Sequence, residues 1–362
     1  MEELTIKKIA VAILGATGLV GQWFAHLLRD HPWFNPSVIA ASQRSTRKKY
    51  IEAVNWVLGS AIPDYVRDLE VVDPTPAAIA GVDDVDLVFS ALPPEIAITV
   101  EPEFAKAGYA ISSNASAFRL DPDVPLLVPE INPEHVKLIE VQKQRRDWSG
   151  FIVTDPNCST AILSLSLAPL HRAFGLRRVI VSTMQAISGA GLEGLFALNI
   201  QDNVIPFIAR EEEKIQTETL KILGSYQKEA VKPADFRITA SCHRVSVSDG
   251  HTEAVFVETE RKCDLEEVKN VLNNFRGKPQ QLSLPSAPKR PVVVLDAKDR
   301  PQPKLDRFTG NGMSSVVGRI RSDESVANGL KYIVHGHNLV RGAAGSSILN
   351  AELLFKLGKV PK

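Results

Sequence analysis

The sequence predicts an α/β protein of two domains, with a doubly wound parallel sheet in the first and a mixed α+β arrangement in the second. Three observations lead to this prediction. Short β-rich runs alternate with helical patterns through the first part of the chain, which is typical of parallel sheets with helices between the strands. The later predicted strands are longer and follow one another with fewer helices. The chain has 362 residues, more than one ordinary hydrophobic core holds.

The first part of the chain supplies the parallel sheet. Its predicted strands and helices alternate at 9–14, 19–29, 37–42, 85–92, 95–107 and 109–113. A further strand at 151–155 turns directly into a helix at 159–174. The segment 121–133, between the strands at 109–113 and 151–155, is rich in proline and acidic residues and is predicted to be a loop.

The pattern in the second part of the chain predicts a wide sheet with helices on one face. Strands are expected at 178–187, 236–247, 252–260, 292–295, 314–320 and 331–334, with a helix at 265–275. Another helix begins near Arg210, and an amphipathic helix at 343–357 follows the loop Arg341-Gly342.

The composition limits the possible function classes. Lysine and arginine balance aspartate and glutamate, so the formal net charge is zero, and no basic stripe indicates nucleic-acid binding. No apolar run approaches the roughly 18 residues that a membrane span requires. Three cysteines, an odd number, do not predict a disulfide framework. The expectation is a cytoplasmic protein with no membrane or nucleic-acid partner and no metal site.

A glycine-rich turn follows the first predicted strand and opens the first helix. Glycines there let the backbone turn tightly and approach a pyrophosphate, which rests on the helix N-terminus. The spacing is G-x-x-G-x-x-G rather than G-x-G-x-x-G, and a purely structural turn is the alternative. The predicted cofactor-binding residues are Gly15, Thr17, Gly18, Leu19, Val20 and Gly21.

The end of the second predicted strand indicates which dinucleotide binds. NAD sites usually carry an acidic residue there, which binds the ribose 2′-hydroxyl. This chain has Ser42, Arg44 and Ser45 instead, and an arginine with two hydroxyls suits a 2′-phosphate. A solvated basic loop is the alternative. NADP is therefore the predicted cofactor, with Ser90, Ser188 and Gly189 as further contacts; glycine near Ser188 would let a flat ring approach the backbone.

Cys158 lies where a predicted strand turns into a helix, in Asp155-Pro156-Asn157-Cys158-Ser159. Unpaired N–H groups and the positive end of the helix dipole favour a thiolate at such a position. A thiolate is a nucleophile for an activated carbonyl group. A buried structural cysteine is the alternative.

Two further residues have chemistry that complements a thiolate. A histidine such as His251, in the turn before a strand, can act as a general acid or base near neutral pH. Arg244, in a strand where neighbouring side chains alternate between faces, can bind a carboxylate through two hydrogen bonds. Either residue taken alone could be structural.

Taken together, the segments GATGLVG, ASQRS, PNCST, QAISGAG, REEEKIQTETLKIL, HRVSVSDGHTE and HNLVRGAAGSS resemble the aspartate-semialdehyde dehydrogenase family, in its archaeal and fungal branch. The resemblance covers nearly the whole chain and keeps the order of the motifs. It implies NADPH-dependent reduction of L-aspartyl 4-phosphate to L-aspartate 4-semialdehyde with release of phosphate, a step toward lysine, methionine and threonine.

The resemblance also implies a role for individual residues. Cys158 matches the nucleophile, His251 the acid/base and Gln185 the glutamine that positions the reacting group. Arg244 matches the group that binds the substrate α-carboxylate, and Asn338 lies near the nicotinamide carboxamide. The remaining implied substrate-binding residues are Glu211 for the amino group, Lys214 and Arg119 for phosphate, and Asn157 beside the thiol.

The resemblance implies two functional domains, 1–156 plus 338–362 for NADP and 157–337 for catalysis and dimerisation, in a homodimer or homotetramer. Two other functions stay open at this point. Malonyl-CoA reductase resembles the same family and would keep the thiol, the histidine and NADPH. A non-catalytic NADP-binding regulator on this fold would have no need of Cys158, Gln185 and His251 together.

Overall fold

The structure is a computed structural model that describes residues 8–360. It forms two compact units, and each unit is made of separate stretches of chain. Within the described residues, the first unit contains 8–125, Val136–Asp155 and 347–360, and the second contains Leu126–His135 and Pro156–Ser346. Within 8–360, none of the helices is long and apolar enough to cross a membrane.

The first unit contains a six-stranded sheet whose strands are all parallel, in the order β3-β2-β1-β4-β5-β6. This is the doubly wound arrangement of dinucleotide-binding domains, in which ligands bind at the carboxyl ends of the strands. The strands are β1 (Ile9–Leu14), β2 (Phe34–Ala40), β3 (Val71–Val72), β4 (Leu87–Ser90), β5 (Ala110–Ser113) and β6 (Phe151–Thr154). The helices are α1 (Leu19–Leu27), α2 (Tyr50–Ala53), α3 (Asp64–Arg67), α4 (Pro76–Ala80), α5 (Pro94–Lys106) and α6 (Leu138–Arg146).

The second unit contains a seven-stranded mixed sheet in the order β13-β14-β15-β12-β7-β11-β8, and a separate hairpin of β9 and β10. The strands are β7 (Leu176–Gln185), β8 (Val204–Ile205), β9 (Ser225–Gln227), β10 (Ala230–Lys232), β11 (Arg237–Val245), β12 (His251–Thr259), β13 (Val292–Leu295), β14 (Ser315–Asp323) and β15 (Gly329–Gly336). The helices are α7 (Cys158–Phe174), α8 (Ala197–Ile200), α9 (Glu211–Ile222), α10 (Leu265–Asn273), α11 (Lys278–Gln281) and α12 (Pro303–Asp306). The last helix, α13 (Gly345–Lys356), begins in this unit.

The core of the second unit lies between one face of its sheet and the helices α7, α9 and α10. Alternate residues of β12, from His251 through Val255 to Val257, are buried on this face. Nearly every residue of α7 is buried as well. Because α7 is buried on nearly all sides, its position is fixed by packing, and a residue at its first position is held in place. The predicted fold class, a doubly wound sheet with a second α+β domain, is confirmed.

The compact units differ from the predicted functional domains in two segments, 126–135 and 338–346, which pack in the second unit. A buried ion pair joins these segments to each other. Both terminal nitrogens of Arg341 donate to the Glu130 carboxylate at 2.8 and 2.7 Å, and both side chains are fully buried. An arginine buried at this depth needs such a partner, so the pair holds the two segments in one core. The division of function between the domains stays a prediction.

The end of the chain packs in the first unit. The Ser112 hydroxyl donates to the carbonyl of Ser347 at 2.9 Å, and the Asn114 amide donates to the Ser347 hydroxyl at 2.7 Å. Further along α13, Glu352 is paired with His31 at 2.9 Å in a buried site. These contacts fix the last helix against the parallel sheet.

Candidate active site

A cavity of about 660 Å³ lies at the carboxyl ends of the parallel strands in the first unit. The loop after β1 forms one wall, and no residue larger than glycine fits at its tightest points. Gly15 has a φ of +74°, and a Cβ there would lie 2.7 Å from the Ala91 carbonyl oxygen. A Cβ on Gly21 would lie 2.3 Å from the carbonyl oxygen of Gly15. The glycines therefore allow two backbone segments to approach each other closely, as the motif predicts.

Not all of the predicted cofactor residues line this cavity. Gly15, Thr17, Gly18 and Ser42 do, whereas Leu19, Val20 and Gly21 form the first turn of α1. Gly18 precedes this turn without a side-chain cap, which leaves N–H groups of the helix start for an anion.

The other predicted residues of the first unit lie outside the cavity lining. Arg44 is exposed, and Ser45 and Ser90 are buried. Gln43, and Asp73 to Thr75 after β3, line the cavity but were not predicted. No sequence pattern indicates the turn after β3, because a strand of two residues is too short for a detectable periodicity.

Cys158 is the first residue of α7, and Asn157 is its N-cap. The Asn157 side-chain oxygen accepts from the backbone N–H groups of Ser159 and Thr160 at 3.1 and 3.2 Å. The Asn157 backbone N–H donates to the buried Glu218 carboxylate at 2.6 Å. The turn that presents the thiol is thus held from both sides. Glu218, on α9, was not predicted, because nothing local in the sequence places it under this turn.

A carboxylate from α9 lies at the centre of the site. Glu211 accepts from the Asn157 amide at 2.8 and 3.0 Å, from the Gln185 amide at 3.2 Å and from the Lys214 ammonium at 3.1 Å. Glu211, Gln185 and Asn157 are all buried. The structure therefore brings four predicted residues, Asn157, Gln185, Glu211 and Lys214, into one hydrogen-bonded cluster beside Cys158.

His251 lies on the other side of the thiol, with Nε2 3.1 Å from Sγ of Cys158. The backbone N–H of Ala186 donates to Nδ1 of His251 at 3.1 Å. Since Nδ1 accepts this bond, the proton of the neutral ring lies on Nε2 and points at the sulfur. Burial, Arg244 and His335 lower the pKa of His251 well below its ordinary value, while the Gly250 carbonyl opposes this shift. The ring is neutral near neutral pH.

Arg244 is buried beside His251 and is held by the backbone. Its guanidinium donates to the Ala186 carbonyl at 2.6 Å. A Cβ on Gly189 would lie 2.6 Å from the Arg244 guanidinium and 3.2 Å from the His251 ring. Gly189, predicted as a cofactor contact, therefore also leaves the space that these two side chains occupy.

Asn338 joins the two loops that flank His251. Its side-chain oxygen accepts from the Gly250 N–H at 2.7 Å, and its amide donates to the Ser188 hydroxyl at 2.9 Å. Four residues later, Gly342 packs on Cys158, since a Cβ there would lie 2.6 Å from the Cys158 Cβ. Gly342 was not predicted, although the glycine in Arg341-Gly342 was a visible signal for a close approach.

Arg119, a predicted phosphate ligand, is not part of the hydrogen-bonded cluster around Glu211. It follows β5 in the first unit and is buried. Its guanidinium donates to the Asn114 carbonyl at 2.7 Å. Its predicted role stays a prediction.

The thiol itself departs from the expectation. Burial and the Glu211 carboxylate raise the pKa of Cys158 to about 12, against the lowering effects of Arg244, Lys214 and the Ser159 N–H. A thiol with this raised pKa is mostly protonated near neutral pH in the protein without substrate. The helix N-terminus contributes in the expected direction, but desolvation and a nearby negative charge outweigh it.

The effect of Glu211 on the Cys158 pKa can be tested by substitution. Replacing Glu211 by glutamine removes a negative charge that raises the Cys158 pKa, so the pKa should fall by about one unit. Because a raised thiol pKa leaves little thiolate at neutral pH, alkylation of Cys158 by iodoacetamide should become about tenfold faster there. The rate is measured by mass spectrometry of the Cys158 peptide as a function of pH.

Glu212→Gln is the matched control for this measurement. Glu212 is the next residue on α9, but its carboxylate accepts from the Cys242 backbone N–H instead of approaching Cys158. Its replacement should leave the alkylation rate of Cys158 unchanged. Equal acceleration by both substitutions, or none by Glu211→Gln, would contradict the electrostatic account.

Comparison with known families matches two domain models to this chain. A model described as the semialdehyde dehydrogenase NAD binding domain matches residues 10–139. A model described as the semialdehyde dehydrogenase dimerisation domain matches residues 167–341. The two matches cover most of the parallel sheet and most of the mixed sheet, respectively.

Curated relatives match over nearly the full length. Aspartate-semialdehyde dehydrogenases of Methanothermobacter thermautotrophicus and Archaeoglobus fulgidus are each 54% identical over 96% of this chain, and 99% and 98% of the relatives are covered. A malonyl CoA reductase (NADP) of Metallosphaera sedula is 39% identical over 98% of this chain and 99% of its own length.

Solved structures show the same architecture. The aspartate semialdehyde dehydrogenase of Candida albicans, determined with NADP, has a TM-score of 0.87 and 38% identity, covering 96% of this chain and 99% of that one. Aspartate semialdehyde dehydrogenase II of Vibrio cholerae, complexed with ASA, has a TM-score of 0.76 and 28% identity, covering 97% and 99%.

Proposed function

Because the chain belongs to the aspartate-semialdehyde dehydrogenase family, we propose that it catalyses the reversible, NADPH-dependent reduction of L-aspartyl 4-phosphate to L-aspartate 4-semialdehyde and phosphate. This reaction serves lysine, methionine and threonine biosynthesis. The predicted family, enzyme class and NADP cofactor are confirmed by the relatives and the matched domains. The observation that carries the proposed chemistry is the 3.1 Å contact of Cys158 with His251, beside the Glu211 cluster.

The first unit has the features that a dinucleotide requires. The glycine loop, the uncapped start of α1 and the cavity at the strand ends fit the pyrophosphate and the adenosine half. Ser42 and Arg44 are proposed to hold the 2′-phosphate, and Ser188, Gly189 and Asn338 the nicotinamide end. When bound, NADPH supplies the hydride.

Cys158 is proposed as the nucleophile. Its sulfur attacks the acyl carbon of the substrate, a C–S bond forms, and the bond from that carbon to the phosphate oxygen breaks. The thiol proton leaves with the phosphate, which balances the acyl-transfer step. The raised thiol pKa means that substrate binding must assist this proton loss, and the charged side chains near the sulfur, Arg244 and Lys214, act in that direction.

His251 is proposed to handle the proton that accompanies reduction of the thioester. Its Nε2–H points at the reacting sulfur and can hydrogen-bond the oxygen on which negative charge develops. Full protonation of the ring would break the bond from the Ala186 N–H to Nδ1. The nearby Gly250 carbonyl favours the protonated ring. When the C–S bond breaks, the oxyanion becomes the aldehyde carbonyl and the sulfur leaves as a thiolate, and one proton taken from solvent through the His251 ring regenerates the thiol.

The substrate carries three charged groups, and the site has a partner for each. Arg244 is proposed to bind the α-carboxylate, Glu211 the ammonium, and Lys214 and Arg119 the phosphate. Gln185 and Asn157 hold the Glu211 carboxylate in place. In the structure Lys214 is paired with Glu211, so the ammonium and the phosphate of the substrate would each take over one partner of this ion pair.

The protein is proposed to act as a homodimer or a homotetramer in the cytoplasm. The dimerisation-domain match covers the mixed sheet. Ile180 and Phe256 are directly paired across β7 and β12, and both remain well exposed, which is typical of a surface that a partner covers. All three cysteines are free thiols, in agreement with a reducing compartment. A single-chain mass in analytical ultracentrifugation would contradict the oligomer.

The assay that tests the function runs the reaction in reverse. NADPH formation is followed by absorbance with L-aspartate 4-semialdehyde, NADP and phosphate, and in parallel with malonic semialdehyde, NADP and CoA. Phosphate-dependent turnover of the aspartyl aldehyde is expected. Turnover of the CoA pair alone would establish a malonyl-CoA reductase, and no turnover of either pair would favour a non-catalytic regulator.

A further inference from the structure

One acidic side chain faces the dinucleotide cavity of the first unit. Among the described residues that line the cavity, Asp73 alone carries a charge. It directly follows β3, at the carboxyl edge of the sheet where the cofactor binds. A carboxylate in a cavity that must accept a phosphate-rich dinucleotide is repelled by most of that ligand. A hydrogen-bond donor on the ligand would explain why a carboxylate lies there.

A contact with the Thr46 hydroxyl fixes the orientation of the Asp73 carboxylate. The Thr46 hydroxyl is 3.1 Å from Oδ1 of Asp73 and 3.3 Å from the Ser42 carbonyl oxygen. This arrangement links the loop after β2 to the turn after β3. Oδ2 of Asp73 has no hydrogen-bond partner among the described residues. One carboxylate oxygen is therefore held and the other is available to a ligand.

The rest of this end of the cavity suits a flat apolar ring. Leu92, Pro93 and Ile96 follow β4 and also line the cavity, and Ile96 is 46% exposed although it is apolar. A carboxylate can only accept hydrogen bonds. The adenine base has a single hydrogen-bond donor, its 6-amino group, while its ring nitrogens accept.

We propose that Oδ2 of Asp73 accepts a hydrogen bond from the adenine 6-amino group, so that Asp73 selects adenine as the base of the dinucleotide. This inference rests on the proposed NADP-dependent function and adds the residue that recognises the base. Ser42 and Arg44 bind the 2′-phosphate after β2, and Asp73 binds the base after β3. The two recognition events use different residues and can be tested by separate substitutions.

The test compares dissociation constants of NADPH and its hypoxanthine analogue, which carries a carbonyl oxygen where adenine has the amino group. Binding to the full chain is measured by quenching of protein fluorescence. The wild-type protein should bind NADPH at least about tenfold more tightly, because the analogue sets a carbonyl oxygen against a carboxylate. In Asp73→Asn the amide can donate to that oxygen, so the preference should disappear or reverse.

Arg44→Ala is the matched control, with NADH as a third ligand. It should lower the preference for NADPH over NADH and leave the adenine-to-hypoxanthine ratio unchanged, whereas Asp73→Asn should do the opposite. Thr46→Val, which releases Oδ1 of Asp73, should reduce the adenine preference partially and serves if Asp73→Asn fails to fold.

Two results would overturn the assignment in different ways. If Asp73→Asn weakens NADPH and the hypoxanthine analogue by the same factor, Asp73 holds the ribose or the loop and not the base. If neither dinucleotide binds the wild-type protein, the proposed function fails, and the adenine assignment fails with it.

Discussion

Replacing Cys158 by alanine is expected to lower turnover by at least about a thousandfold, because alanine has no group that can form the covalent intermediate. NADPH should still bind, since the cavity around Gly15, Thr17 and Ser42 lies in the first unit. The measurement combines steady-state kcat in the reverse assay with the dissociation constant of NADPH. Cys158→Ser, which keeps the size of the side chain, should show nearly the same loss of kcat.

The control for this result is Cys263→Ser. Cys263 is a partly buried free thiol beside α10, outside the Glu211 cluster, and its replacement should leave kcat close to the wild-type value. Residual turnover of Cys158→Ala above about one part in a thousand would exclude the nucleophile role. Loss of NADPH binding along with turnover would instead indicate that the substitution disturbs the fold.

The elements predicted from sequence correspond to the structure where the pattern is local. The strand at 9–14 and the strand at 292–295 have the predicted bounds. The second strand was placed at 37–42 but runs from Phe34 to Ala40. Proline usually excludes a residue from a strand interior, yet Pro36 is accommodated here because β3 pairs only with Ile39 and Ala40 and the register shifts next to Pro36.

What the sequence could not predict depends on contacts between distant residues. The segment around Glu130 was assigned to a loop of the first domain, but it packs in the second unit, where Glu130 pairs with Arg341, 211 residues away. The helix start at Cys158 was correctly located, but the thiol pKa is set by burial and by Glu211, which arrives from α9. Local rules located Cys158 at the helix start, while the charge state of its thiol is a property of the folded cluster.

Replacing His251 by asparagine is expected to lower kcat by a factor of about a hundred to ten thousand. Asparagine retains an N–H donor near the sulfur but cannot take up and release a proton, so the proton that accompanies reduction has no carrier. Binding of NADPH should be unchanged. The measurement is kcat in the reverse assay as a function of pH, together with the dissociation constant of NADPH.

The pH dependence tests the environment of the ring as well as its role. Because burial and Arg244 lower the pKa of His251, the wild-type ring should stay neutral until the pH falls well below the ordinary histidine range. The acid limb of the kcat profile should therefore lie in that more acidic region and should be absent in His251→Asn. His171→Asn is the control, since His171 lies near the far end of α7, where its Nδ1 accepts from the Leu176 N–H. Turnover of His251→Asn within about tenfold of the wild type at every pH would reduce His251 to a packing residue. Its 3.1 Å contact with Cys158 would then serve only to place the sulfur.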